Sequence, residues 1–193
     1  MTAESVNRQS TASNRNLMMV VVGVVVLIAV GLGLFFVLHK STTKKHGGGG
    51  VKTSRIGPLL MTAPQLKTQS KILGTPIYWA GPLKGYNYEF TRTTKGYLYV
   101  RYLPKGLHVN APGANFLIIS TYPFIGAYSG LRKAAHGAQI AGPNDSIILV
   151  NAGYRQSVLM AWPGVDYQVE VYNPKPAIAL STAESGAIQR VRG

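Results

Sequence analysis

The stretch YNYEFTRTTKGYLYVRYL, residues 86–103, decides the fold. Side chains alternate with period two on both sides of Thr94-Lys95-Gly96, which predicts two strands joined by a turn. The length of the loop sets which side chains meet. A three-residue loop puts Gly96 at the position that needs positive φ. That register pairs Phe90 with Val100 and Tyr88 with Tyr102 on one face. It pairs Glu89 with Arg101, and Thr91 with Tyr99, on the other. A two-residue loop at Lys95-Gly96 would set Phe90 against Arg101 instead. Only the longer loop makes one face apolar and gives the carboxylate its cation, so a three-residue hairpin is expected.

The elements on either side follow from local signals. Thr62-Ala63-Pro64 reads as an N-cap followed by proline in the first turn, opening a helix over 63–73 that Gly74 closes. Ile77-Tyr78-Trp79-Ala80 is a short strand ending at Gly81-Pro82. Residues 104–115 are rich in Pro, Gly and Asn and read as loop. Phe116–Tyr122 is a nearly continuous apolar run, expected as a central strand. Helical spacing of Ile125, Tyr128, Leu131 and Ala135 predicts a helix over 124–136, with Gly137 as its stop and Arg132 and Lys133 complementing the dipole in its last turn. Strands are expected at 146–151, 157–161 and 167–172, and a short helix at 177–185. The basic end, Arg190-Val191-Arg192-Gly193, reads as frayed.

The two halves share the order helix, strand, strand, strand. There is also an echo between Tyr86-Asn87-Tyr88-Glu89-Phe90 and Tyr167-Gln168-Val169-Glu170-Val171. The echo equates a middle strand with a last one, so chance agreement between strands of one composition explains it better than duplication. A real duplication would make the domain two αβββ units.

Upstream lies LMMVVVGVVVLIAVGLGLFFVL, Leu17–Leu38, without a charged side chain. At about 1.5 Å per residue such a run can cross a hydrocarbon core of roughly 30 Å. It exceeds the length of a signal-peptide core, and no small-x-small cleavage site follows it. The chain therefore divides into a polar tail (1–16), a single transmembrane helix (17–38), a basic Gly-rich linker (39–58) and a globular domain (59–193) of about 135 residues, enough for one core. Inside the apolar run, Ala29 and Gly33 form a small-xxx-small pair that can let two helices approach. Orientation draws opposing arguments. Lys40, Lys44, Lys45, Lys52 and Arg55 outnumber Arg8 and Arg15, which by the positive-inside bias puts the domain in the cytoplasm. A short tail, one anchor and a folded domain is the usual layout of an exported module, and long domains translocate largely regardless of charge. The second argument is preferred, giving a cell-membrane protein with an extracytoplasmic domain.

Lys and Arg outnumber Asp and Glu 20 to 6 among 193 residues, a formal charge of +14. Such an excess suits anionic surroundings, whether lipid head groups, wall polymers or nucleic acid. The absence of cysteine excludes disulfides and thiolate metal sites.

Pro76-Ile77-Tyr78-Trp79-Ala80-Gly81-Pro82, Tyr88-Glu89-Phe90-Thr91-Arg92, Tyr99-Val100-Arg101-Tyr102-Leu103-Pro104 and Tyr167–Tyr172 form a distinctive set. Across roughly residues 70–173 it resembles uncharacterised membrane-tethered proteins of high-GC Gram-positive bacteria. The resemblance implies export and an envelope location, and supplies no activity and no catalytic residue.

The chemistry-bearing residues give few patterns. His39, His46, His108 and His136 lack metal-ligand spacing, and no metal or cofactor is expected. No G-x-S-x-G elbow occurs, and Gly47–Gly50 lacks the Gly-Lys-Ser/Thr ending of a phosphate loop. Glu89 and Glu170 can be imagined flanking a glycoside, but pairing of Glu89 with Arg101 and a solvated face for Glu170 are the simpler assignments. Tyr97, Tyr99 and Arg101 share the hairpin's outward face, with Lys95, Lys84 and Lys105 in loops near it. Rings and cations on a strand face can stack bases or sugars and hold phosphates, so Tyr97, Tyr99, Arg101 and Lys95 are the candidate ligand-binding residues. Trp79 and Trp162 are assigned to the core.

The expectation is thus an α+β protein: one N-terminal transmembrane helix plus a small, mostly antiparallel sheet domain with two or three helices. Its function is expected to be binding or assembly in the cell envelope, with the membrane as one partner through Leu17–Leu38 and an anionic polymer or a protein as another. A hydrolase with an unrecognised site and a membrane-tethered nucleic-acid-binding domain are the alternatives, the latter disfavoured.

Overall fold

A computed structural model describes residues 54–113 and 115–192. The tail, the apolar run Leu17–Leu38 and most of the linker lie outside the described residues. Among those described, no helix is long and apolar enough to cross a membrane.

The hairpin forms as the side-chain alternation predicts. Strand β3 (Tyr86–Arg92) pairs antiparallel with β4 (Leu98–Pro104), matching Phe90 with Val100, Tyr88 with Tyr102, Glu89 with Arg101 and Thr91 with Tyr99. The Thr93 N–H donates to the Tyr97 carbonyl at 2.9 Å, closing the three-residue loop, and Gly96 takes φ 79°. A side chain at that φ would be strained, which is why the turn ends in glycine.

Around this hairpin grows an eight-stranded sheet in which every pairing is antiparallel. It comprises β1 (Ile56–Met61), β3, β4, β5 (Ile118–Pro123), β9 (Tyr167–Tyr172), β8 (Ser157–Ala161), β7 (Ile147–Val150) and β6 (Ile140–Ala141), in that spatial order. A second ladder joins β2 (Tyr78–Trp79) to β10 (Gln189–Arg190). Helices α1 (Ala63–Leu73), α2 (Ala127–Ala135) and α3 (Pro176–Glu184) complete an α+β domain. In α1 the Gln65 side chain accepts from the Thr62 N–H at 2.8 Å, and Gly74 ends the helix in the left-handed region. In α2 the first turn is held by Asp166, whose carboxylate accepts from the Gly126 N–H at 2.9 Å.

The two faces of the sheet differ in chemistry. One carries Tyr88, Phe90, Val100, Tyr102, Ile119, Val158, Met160, Val169 and Val171, and packs with α1, α3, β2 and Val191 into the main core. The other carries Glu89, Thr91, Tyr99, Arg101, Ser120, Ser157 and Glu170, all buried. On that side α2 lays Ala127, Leu131 and Ala135 over β7, β8 and β9. The 105–117 segment crosses β3 and β4.

Three sequence expectations need correcting. Strand β1 occupies the end of the expected linker, because Gly57 at φ 81° and a register irregularity let a Pro-containing segment pair along the sheet edge. The αβββ units do not form, since β2 leaves the main sheet to pair with β10 while β7, β8 and β9 lie side by side. The basic end is not frayed: Val191 is buried, its N–H donates to the Ile77 carbonyl at 2.7 Å, and its carbonyl accepts from Ser70 at 3.0 Å. Trp79 is in the core as expected, edge-on to Tyr88, and Trp162 packs against that core by stacking on Tyr78.

Candidate functional site

The buried polar face holds two carboxylates in related positions. Half a turn about the Val100–Ile119 pair carries β4 onto β5 and β3 onto β9, because both pairings are antiparallel and share one register. The same operation places Tyr86–Phe90 on Tyr167–Val171 residue for residue, so the echoed strands are equivalent about a local twofold. Glu89 then corresponds to Glu170, and Arg101 corresponds to Ser120.

That single difference splits the two environments. Arg101 donates from Nη1 to Glu89 Oε1 at 3.1 Å, with the two side chains 4% and 1% exposed. The Asn110 N–H donates to Glu89 Oε2 at 2.7 Å, Arg101 Nη2 donates to the Ala111 carbonyl, and the guanidinium lies 4.4 Å from the Phe116 ring. The ion pair therefore clasps the 105–117 segment to the sheet. Opposite Glu170 stands Ser120, which brings no charge. Glu170 accepts instead from the Tyr122 hydroxyl at 2.6 Å and from the Ser157 hydroxyl. Burial pushes its carboxyl above the usual range, and these two hydrogen bonds offset part of the rise. Tyr122 is raised in turn by burial and by Glu170, and it is hydrogen-bonded to Tyr99 and Ser120. The result is a hydroxyl network closed around a buried acid.

The candidate ligand residues land in different places. Tyr97 and Tyr99 both meet Tyr122 edge-on, at ring distances of 5.1 and 6.1 Å. Tyr99 and Arg101 do share a face, but it is covered rather than outward: the Tyr122 ring meets Tyr99 and the 105–117 segment closes over Arg101, leaving them 5% and 3% exposed. Lys95 is exposed in the hairpin turn. Lys84 and Lys105 belong to the other end of the hairpin, where the Lys105 N–H donates to the Gly85 carbonyl at 2.8 Å. Seven residues of strand separate them from Lys95, roughly 24 Å.

Glu170 is fully buried, not solvated. Nor do Glu89 and Glu170 flank a substrate. Two strands lie between theirs, setting their backbones roughly 14 Å apart across the sheet, and each carboxylate is taken up by its own partners, Arg101 and Asn110 for Glu89, Tyr122 and Ser157 for Glu170. Among the described residues no three His, Asp or Glu side chains gather into a metal-holding group.

The surface is the more distinctive electrostatic feature. Every described Lys and Arg except Arg92 and Arg101 is exposed. Of the described acids, Glu89 and Glu170 are buried, leaving only Asp145, Asp166 and Glu184 outside. Folding hides anions preferentially and makes the exterior more one-sided than the composition. No protein-family model, curated protein or solved structure matches this chain.

Proposed function

We propose that this chain is a single-pass membrane-anchored module of the cell envelope, whose exported domain binds an anionic polymer. The observation that carries the reading is the sign of the folded surface, where nearly all described cations are exposed and two of the described acids are taken inside. Lys84 and Lys105 at one end of the hairpin, Lys95 at the other, and Arg132 and Lys133 on the last turn of α2 are available to such a partner. Lys and Arg that hold phosphates release counterions, so affinity falls steeply with salt. The apolar run Leu17–Leu38 supports the anchor, and its length matches the bilayer core.

Titration of the detergent-solubilised full chain with poly(glycerol phosphate) tests the binding. Affinity is expected to fall at least tenfold between about 50 and 200 mM salt, a loss typical of several phosphate contacts. No binding at low salt, or binding indifferent to salt, would overturn the reading.

A further inference from the structure

We propose that the layer formed by α1, β1 and the C-terminal arm rests on the anionic head groups of the bilayer that carries the chain. This rests on the anchored reading above and adds which face meets the lipid.

The layer is basic by construction. Lys67 and Lys71 lie one helical turn apart on the exposed side of α1. Ser70, between them in sequence, donates to the Val191 carbonyl at 3.0 Å and so draws the exposed Arg190 and Arg192 alongside the helix. From Ser5 to Tyr88 the sequence contains no Asp or Glu, and none follows Glu184. Apolar side chains stand among the cations: Ile72 is 72% exposed at the end of α1, and Leu59 is 44% exposed on β1, on the sheet face that α1 covers. Cations ringing a few exposed aliphatic groups is the pattern of a surface that lies at a lipid interface.

The chain outside the described residues argues for the same occupant. It ends immediately before β1, so the tether joins the domain at this layer. The residues between Leu38 and Ile56 are basic and Gly-rich, and a flexible chain of that length spans about 23 Å root-mean-square. A domain of this size is wider than that, roughly 30–40 Å across. Attachment at β1 makes this layer, rather than the far side of the domain, the one offered to the leaflet, and anionic head groups attract Lys and Arg within a Debye length. Lys105, exposed in the turn after β4, lies outside this layer and serves as the reference position.

The absence of cysteine makes the test clean. The full chain carrying Ile72→Cys with a nitroxide label is reconstituted into vesicles of phosphatidylcholine alone or with 30% phosphatidylglycerol. Accessibility to an aqueous relaxing agent is then compared with that of a Lys105→Cys label. The label at 72 is expected to lose accessibility at least threefold only in the anionic vesicles, while the label at 105 stays aqueous. Reversing the layer's charge (Lys67→Glu, Lys71→Glu, Arg190→Glu, Arg192→Glu) is expected to abolish the loss. A label at 72 that remains aqueous in both vesicles, on chains that float with them after a carbonate wash, overturns the docking face and leaves the anchor standing. Chains that fail to float overturn the anchored reading, and this inference with it.

Discussion

Arg101→Met isolates the contribution of the buried ion pair. The substitution keeps the aliphatic volume and removes the hydrogen bonds to Glu89 and to the Ala111 carbonyl, together with the contact over Phe116. Glu89, 1% exposed, retains only the Asn110 N–H as a donor. Removing one partner of a buried pair typically costs about 3–5 kcal/mol, because the remaining charge is left without a partner and without water. For a domain of about 135 residues, 1 kcal/mol corresponds to roughly 3 °C, so Tm is expected to fall by about 9–15 °C. The double variant Glu89→Leu/Arg101→Met removes both charges. It loses the two hydrogen bonds to the 105–117 segment, each worth about 1 kcal/mol, and the contact over Phe116, and is expected to recover part of the loss. Urea unfolding of the full chain in detergent, followed by fluorescence of the buried Trp79, measures both. Hydrogen exchange at the Asn110 amide should accelerate in each variant. An Arg101→Met protein within about 1 kcal/mol of the parent would show that the pair is screened by water and does not clasp the segment.

Three further perturbations probe other parts of the account. Glu170 has its carboxyl raised by burial, so its stabilising contribution is fully present below the ordinary carboxylate range and lost as pH rises through the raised value. Glu170→Gln should be more stable than the parent at neutral pH and flatten the stability profile between pH 4 and 8, and parallel profiles in urea melts would contradict this. Deleting Gln189–Gly193 removes β10 and the buried Val191, and should cost at least about 2 kcal/mol in the same melts; a frayed end would cost nothing. Gly57→Ala puts a Cβ against the Phe90 carbonyl oxygen, 2.9 Å from the Leu59 N, at φ +81°. It should destabilise the β1 edge by at least about 1–2 kcal/mol, read as a lowered urea midpoint.

Where local rules sufficed, the structure follows them. The hairpin register, Thr62 as a cap and Gly74 as a stop all rest on interactions within a few residues. What depended on distant parts of the chain was not legible. Strand β1 reads as linker because its pairing partner, β3, lies beyond a whole helix. Residues 190–193 read as a tail because β2, the pairing partner of Gln189–Arg190, lies more than a hundred residues earlier. Ile77–Ala80 looked like one more member of the sheet for the same reason. The outward face of Tyr97, Tyr99 and Arg101 was a correct statement about alternation. Its exposure was not, because exposure depends on Tyr122 and the 105–117 segment covering it. Glu170 was misplaced likewise, although a signal existed: the echo with Glu89, and a serine in β5 where β4 has Arg101.

The most direct test of the central claim is membrane topology. The cysteine-free chain with Lys95→Cys, exposed in the hairpin turn, is expressed in intact cells and treated with a membrane-impermeant maleimide. The account predicts a chain that stays in the membrane fraction through a carbonate wash and is labelled from outside. A chain that washes off, or one labelled only after lysis, would contradict an exported module on an uncleaved anchor.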